Sequence, residues 1–194
     1  CVRMKEMLGE EYAAFYASYD LPKYQALRIN PLKTERDTFL LQAPFSLNRV
    51  PWTTNGYYYS GNDQPGRHPY HEAGVYYIQE PSAMAPAEYL MAEPGERILD
   101  LCAAPGGKSS QIACSMQGEG LIVCNEIHPA RAKILSENIE RMGVCNALVT
   151  NETPQKLSDN FREYFDRILV DAPCSGEGMF RKNEDACDEW SPEN

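Results

Sequence analysis

A chain of 194 residues with 43% hydrophobic content can bury the core of one large domain, or of one and a half smaller ones, and reads as globular. Its 28 acidic against 18 basic residues give a formal net charge of −10, which runs against the basic footprint of a nucleic-acid binder. No apolar run reaches membrane-span length and the 7 cysteines form no C-x-x-C pair or Cys/His cluster, which argues against a membrane protein, a disulfide framework and a zinc site and for a reducing cytoplasm.

From residue 2 to residue 19 apolar side chains recur at Met4, Met7, Leu8, Tyr12, Phe15, Tyr16 and Tyr19, the three- and four-residue steps of a helical stripe. Leu27, Arg28, Ile29 and Asn30 make a short extended piece stopped by Pro31. Thr34 with Asp37 three residues on resembles a capping arrangement, which predicts a second helix to about Leu41. Gly, Asn, Asp and Pro crowd residues 55–74, read as a long exposed loop or hairpin region carrying Tyr57, Tyr58, Tyr59, Arg67, His68 and Tyr70. Those rings could stack on bases or pack one small subdomain onto the next.

From Pro81 onward helix and strand alternate. Ser82 predicts the cap of a helix to about Met91, followed by a strand over 97–101, a helix over 108–116 and a strand over 121–125. Residues 129–142 place Ala132, Leu135, Ile139 and Met142 on one helical face. A strand over 147–150, a helix around 155–164 and a strand over 168–171 follow. Strands separated by helices of this length predict a parallel α/β sheet with right-handed crossovers. Cys1 is not an initiator, and Ser191, Pro192 and Glu193 read as the start of a helix, so the sequence is expected to continue at both ends.

Asp100, Leu101, Cys102, Ala103, Ala104, Pro105, Gly106, Gly107 and Lys108 join the first of these parallel strands to its helix. Small residues and two glycines let a ligand approach the backbone, and the helix start offers free N–H groups. The phosphate-binding G-x-x-x-x-G-K-[ST] pattern fails, because Cys102 stands where its first glycine is required, and G-x-G-x-x-G fails too. Taken alone, the loop is either a ligand cradle or a tight turn. Glu126, about twenty residues on at the end of the second strand, is placed to accept both hydroxyls of a ribose, or is simply a solvated carboxylate. Asn151, Glu152 and Thr153 end the third strand, where they could meet an adenine edge or merely form a turn. An adenosine ligand without a pyrophosphate fingerprint points to S-adenosyl-L-methionine, and Asp171 could face its charged methionine end or an incoming amino group. The fourth strand runs into Asp171, Ala172, Pro173 and Cys174 at the ligand edge of the sheet, where a thiol can touch substrate, although a lone cysteine can also be inert core.

The two motifs together, Leu101 to Lys108 and Asp171-Ala172-Pro173-Cys174-Ser175-Gly176-Glu177-Gly178, resemble the Sun-type RNA (cytosine-5) methyltransferases, nearest the bacterial small-subunit ribosomal-RNA branch. The likeness runs from about Leu27 to the last residue. Leu27 to Lys33 looks like the family's small RNA-binding subdomain, with Pro31 where threonine is usual, and Gly74 to Ala85 looks like the opening of its catalytic domain. The resemblance implies a class I S-adenosylmethionine-dependent methyltransferase fold: a Rossmann-like parallel sheet, truncated, preceded by a small α+β subdomain. It implies an RNA-binding subdomain over residues 1–73 and a methyltransferase domain over 74–194, incomplete at its C-terminus.

By position, the resemblance places Cys102, Ala103, Ala104, Pro105, Gly106, Gly107, Lys108, Glu126 and Asp171 on the family's cofactor contacts, with Thr153 where aspartate is frequent. C5 of cytosine is a weak nucleophile, so such enzymes add a thiolate at C6, and the resulting enamine takes the methyl group before the C5 proton and the thiol leave. Residue reasoning alone makes Cys174 the nucleophile. The family instead gives the Pro-Cys thiol the release role and uses a cysteine in a later Thr-Cys motif, a dipeptide these 194 residues lack. The implied substrate is RNA, ribosomal or transfer. The alternatives are a DNA or small-molecule methyltransferase, or a cofactor- or RNA-binding module that does not turn over. Arg28, Lys33, Arg36, Arg181 and Lys182 could meet phosphates or be solvated surface charges.

Overall fold

The computed structural model describes residues 2–172, so Cys174, Arg181 and Lys182 lie outside the described residues. The described chain falls into two units, residues 2–23 and residues 24–172. In the first, the expected helical stripe is two short helices, α1 (Val2–Leu8) and α2 (Tyr12–Ala17), because the backbone at Gly9 turns to φ +51° and tightens into a 3-10 turn. Its rings pair along the chain, with Tyr12 stacked on Tyr16 at 5.9 Å and Phe15 edge-on to Tyr19 at 5.4 Å.

The second unit holds two sheets. The smaller is antiparallel, built from β1 (Ala26–Ile29), β2 (Leu47–Arg49), β3 (Gly56–Tyr59) and β4 (Tyr76–Ile78) in the order β2-β3-β1-β4, with the short helices α3 (Arg36–Gln42) and α4 (Pro69–Glu72) among them. Strand β1 is buried at every position, and Leu27 and Ile29 meet Phe39, Tyr57 and Tyr76 in one apolar cluster. Residues 55–74 are therefore not one long exposed loop. The Gly-Tyr-Tyr-Tyr run is strand β3, Tyr57 is only 7% exposed, and β3 makes an antiparallel hairpin with β2. Aromatic residues fit a half-buried pleated surface, which outweighs the turn-rich composition around them. The sheet takes its last strand, β4, from beyond Gly74.

Two expected caps are corrected. Helix α3 is preceded by Glu35 without a side-chain cap, and the Thr34 hydroxyl lies 3.4 Å from the Glu35 carbonyl instead. The next helix, α5 (Pro81–Leu90), places Pro81 at its first position, where a missing N–H costs nothing, and Ser82 falls inside it with its hydroxyl donating to Glu80.

The larger sheet is parallel, formed by β5 (Arg97–Asp100), β6 (Leu121–Asn125), β7 (Ala147–Thr150) and β8 (Arg167–Leu169) in the order β7-β6-β5-β8. Its helices are α6 (Gly107–Met116), α7 (Pro129–Met142) and α8 (Pro154–Asn160), the last ending earlier than its pattern suggests. One face packs Ile98, Ile122 and Cys124 under Ala87, Ile112, Met116, Leu135 and Ile139; the other packs Leu99 and Val123 under Leu157. Burial on both faces explains why these strands read as continuous apolar runs. β5 lies between β6 and β8, with α6 leaving β5 over one face of the sheet and α8 leading to β8 over the other, the reversal of winding at whose carboxyl edge sheets of this kind hold their ligand crevice. Among the described residues no helix is long and apolar enough to cross a membrane.

Candidate functional site

The crevice is floored by the loop from Asp100 to Gly107. Gly106 has φ +107°, a region that side chains other than glycine rarely adopt, and an added Cβ would press on Leu135 at 3.2 Å. The Ala104–Pro105 peptide is cis. Helix α7 holds the loop by its carbonyls: Arg131 donates to Ala104 O at 3.0 Å and Asn138 to Pro105 O at 2.8 Å. Ala103 N–H donates to the Asn125 carbonyl at 2.8 Å, tying the loop to β6. With the carbonyls engaged, the N–H groups of the first turn of α6 remain as donors without intrahelical acceptors.

Two buried carboxylates stand over this loop. Asp100, at the end of β5, is 1% exposed; its Oδ2 accepts the Ser109 hydroxyl at 2.7 Å, and its buried Oδ1 has no hydrogen-bond partner. Burial raises its pKa to about 6 against the opposing pull of Ser109 and Lys108. Glu126, just past β6, is 3% exposed; Oε1 accepts the His128 N–H at 3.0 Å and Oε2 meets Arg131 at 3.3 Å. The expectation of a solvated carboxylate at Glu126 is thus set aside. A carboxylate offers about four acceptor sites, so Glu126 keeps capacity for further donors.

Asp171 is the third acid, and Lys108 Nζ reaches its carboxylate at 2.7 Å, so the start of α6 meets the segment that follows β8. Cys102 lies within this field: burial first, then the charges of Asp100, Glu126 and Asp171, push its thiol up. Burial likewise raises Cys114, and takes Cys124 to about 12. These three thiols therefore stay protonated near neutrality, and none is poised as a nucleophile.

At the end of β7, Asn151 donates to the carbonyls of Glu126 at 2.6 Å and Ile127 at 3.0 Å, bracing the turn that carries Glu126. Thr153 caps α8, its hydroxyl accepting the Lys156 N–H at 3.3 Å, and Glu152 pairs with Lys156 at 2.9 Å. Asn125 Nδ2 donates to the Leu101 and Glu152 carbonyls, while its Oδ1 accepts the Thr150 hydroxyl and the Glu152 N–H. The site thus joins the ends of β5, β6 and β7 by side chains that reading for ligand contacts had passed over: Asp100, Asn125, Arg131 and Asn138. Only Asp100 had a local signal, an acid at a strand end directly before a glycine loop.

Arg28 is the clear departure among the basic residues. It was expected to meet phosphate or to be solvated, yet it is 1% exposed and bonded to Gln79, Gly107, Ser110 and Cys114. Lys33 and Arg36 are exposed, Arg36 beside Asp37 at 3.0 Å.

The family model for 16S rRNA methyltransferase RsmB/F matches residues 87–193, and that for the N-terminal domain of 16S rRNA methyltransferase RsmF matches residues 1–81. Ribosomal RNA small subunit methyltransferase F of Escherichia coli O157:H7 is 40% identical over 189 residues, covering 93% of this chain and 40% of that protein. The protein of the same name from Citrobacter koseri is 41% identical, with the same coverage of 93% and 40%. The chain spans 40% of the length of these curated relatives. Among solved structures, a methyltransferase homolog protein from Pyrococcus horikoshii aligns with TM-score 0.83 and 30% identity, over 96% of this chain and 62% of that one. NSun6 from Pyrococcus horikoshii, solved with SFG, aligns with TM-score 0.77 over 89% of this chain and 69% of that one; at 20% identity it shows the shared fold.

Proposed function

The chain belongs to the 16S rRNA methyltransferase RsmB/F family, and from that premise we propose that it carries the S-adenosyl-L-methionine site of an enzyme forming 5-methylcytosine in small-subunit ribosomal RNA. The observation that carries this reading is the pair of buried carboxylates, Asp100 and Glu126, at the ends of adjacent strands over a glycine loop. The residues present fit such a group. Glu126 has acceptor capacity for the two hydroxyls of a ribose, and the orphaned Asp100 Oδ1 calls for a donor. The loop of Cys102, Ala103, Ala104, Pro105, Gly106, Gly107 and Lys108 gives close backbone approach, Asp171 adds negative charge for a cationic ligand, and Thr153 borders the adenine side.

When bound, the cofactor supplies an electrophilic methyl on a sulfonium. The protein's part is to orient it and to place the carboxylates of Asp100, Glu126 and Asp171 near its positive charge. The resemblance to the Sun-type enzymes gives the thiol chemistry to Cys174 in the release role and to a second cysteine. The antiparallel sheet serves RNA binding in the cytoplasm; the two working parts, residues 1–73 and 74–194, share that sheet, because its strand β4 lies past residue 73. The N-terminal match to an RsmF domain favours RNA over DNA or a small molecule.

Calorimetry with S-adenosyl-L-methionine tests the site: Glu126→Ala should weaken binding by roughly 1–3 kcal/mol through loss of a buried acceptor. Unchanged affinity in that variant would remove Glu126 from the site. For the substrate, bisulfite sequencing of small-subunit rRNA from cells lacking the gene should show one methylated cytosine lost; an unaltered rRNA pattern would sink the assignment.

A further inference from the structure

Strand β1 reads Ala-Leu-Arg-Ile, and alternation turns its two faces to different tasks. Leu27 and Ile29 enter the apolar cluster of the antiparallel sheet. Arg28 and Asn30 face the other way, and both are gripped by the methyltransferase layer: Asn30 Nδ2 donates to the Gly74 and Met142 carbonyls at 2.8 Å each. Arg28 Nε donates to Gln79 Oε1 at 3.1 Å, one terminal nitrogen to Cys114 Sγ at 3.6 Å, and the other to Ser110 Oγ at 2.8 Å and to the Gly107 carbonyl at 3.2 Å.

Each of these acceptors is neutral, and no ion pair forms with Arg28 among the described residues. A buried guanidinium beside the N-terminal turn of a helix also meets the positive end of the helix dipole, so the placement is unfavourable for stability alone. Its two shortest contacts to α6 are Ser110 and Gly107, and Gly107 ends the glycine loop. Gln79, oriented by Arg28, donates in turn to the Ala83 carbonyl and approaches Gln111 on the next turn of α6. Behind Gly107 there is no slack, since an added Cβ would meet the Tyr77 ring at 3.2 Å. The Tyr77 ring centroid lies 5.9 Å from the Arg28 guanidinium carbon and 5.6 Å from that of Arg141.

We propose that Arg28 is a positioning residue for the cofactor site: from the antiparallel sheet it holds the Gly107 carbonyl and Ser110, and so sets where the first turn of α6 presents its N–H groups. This rests on the cofactor reading above. A lysine keeps the charge but, with a single nitrogen, cannot bridge Gln79, Gly107, Ser110 and Cys114 together.

The test measures S-adenosyl-L-methionine affinity by calorimetry and cooperative melting by circular dichroism on the wild type, Arg28→Lys, Ser110→Ala and Glu126→Ala. Arg28→Lys should melt cooperatively and raise Kd by about tenfold, and Ser110→Ala by about threefold, as a loosened supporting shell misplaces the loop. In methylation assays with a protein that also carries the Thr-Cys cysteine, Arg28→Lys should raise KM for the cofactor while kcat stays within about twofold, a split that general loss of folded protein does not produce. A folded Arg28→Lys protein with wild-type Kd overturns the proposal. If Arg28→Lys does not fold, wild-type Kd in Ser110→Ala overturns it. Wild-type binding that weakens in Glu126→Ala but not in the other two variants refutes Arg28 and leaves the cofactor reading standing; a wild type that does not bind at all takes both down.

Discussion

Asp100 carries a carboxylate that water does not reach, and that makes its proton a measurable reporter of the site. In the unfolded chain it ionises near 3.8; in the fold, burial outweighs the Ser109 hydroxyl and the Lys108 charge and holds the proton on to about 6. Between those values the folded state binds the extra proton, so this group's contribution to stability falls as pH rises from about 4 to about 6 and is level above. Glu96 and Asp166 act the other way. Hydrogen bonds from Arg167 and Arg97 lower their pKa values, so their contribution is lost as pH falls through the folded values. Asp100→Asn removes only the first effect. In urea titrations of the ligand-free protein, the stability of Asp100→Asn relative to wild type should rise by about 2 kcal/mol between pH 4 and pH 7. A difference that stays flat with pH would show that Asp100 is not held protonated by burial.

At the scale of elements, the point where β1, α7 and the turn before β4 meet is closed by Gly74. Its backbone sits at φ +69°, and a Cβ there would run into the Arg141 carbonyl, which is backbone and cannot swing aside. Asn30 bonds Gly74 and Met142 together, so any shift propagates into β1 and the end of α7. Gly74→Ala should therefore destabilise by at least about 2 kcal/mol, read from the urea midpoint at unchanged slope. A loss under about 1 kcal/mol would mean that the junction relaxes freely. The same junction shows what the sequence could and could not reveal. The strands and helices from β5 onward were legible because continuous apolar runs and a helical face at Ala132, Leu135, Ile139 and Met142 are local signals. Strands β2 and β4, three residues each, are too short to show alternation. The glycine loop and Glu126 could be read from spacing along the chain. Arg28 could not, because its partners lie 51 to 86 residues away and an isolated charge in an apolar run ordinarily marks a surface position.

For the whole molecule, the telling feature is the β8 side of the parallel sheet, where the described residues supply no further strand. Strand β8 pairs only with β5 among the described residues, and Ile168 and Val170 remain 53% and 55% exposed. The truncated sheet that the Sun-type resemblance implies puts this strand inside a wider sheet, a position that needs apolar residues on both faces. An apolar strand with unpaired N–H and C=O groups along one side is a template for another chain. The 194-residue chain should therefore self-associate despite its net charge of −10, since like-charge repulsion is screened beyond about 10 Å in ordinary salt while strand pairing acts at contact. Ile168→Lys places a charge on that edge without touching Asp100, Glu126 or the glycine loop. Sedimentation velocity across a wide concentration range should show the wild-type chain gaining mass with concentration and Ile168→Lys staying monomeric. A wild type that remains monomeric throughout would mean that the β8 edge is already protected, and association through it would have to be given up.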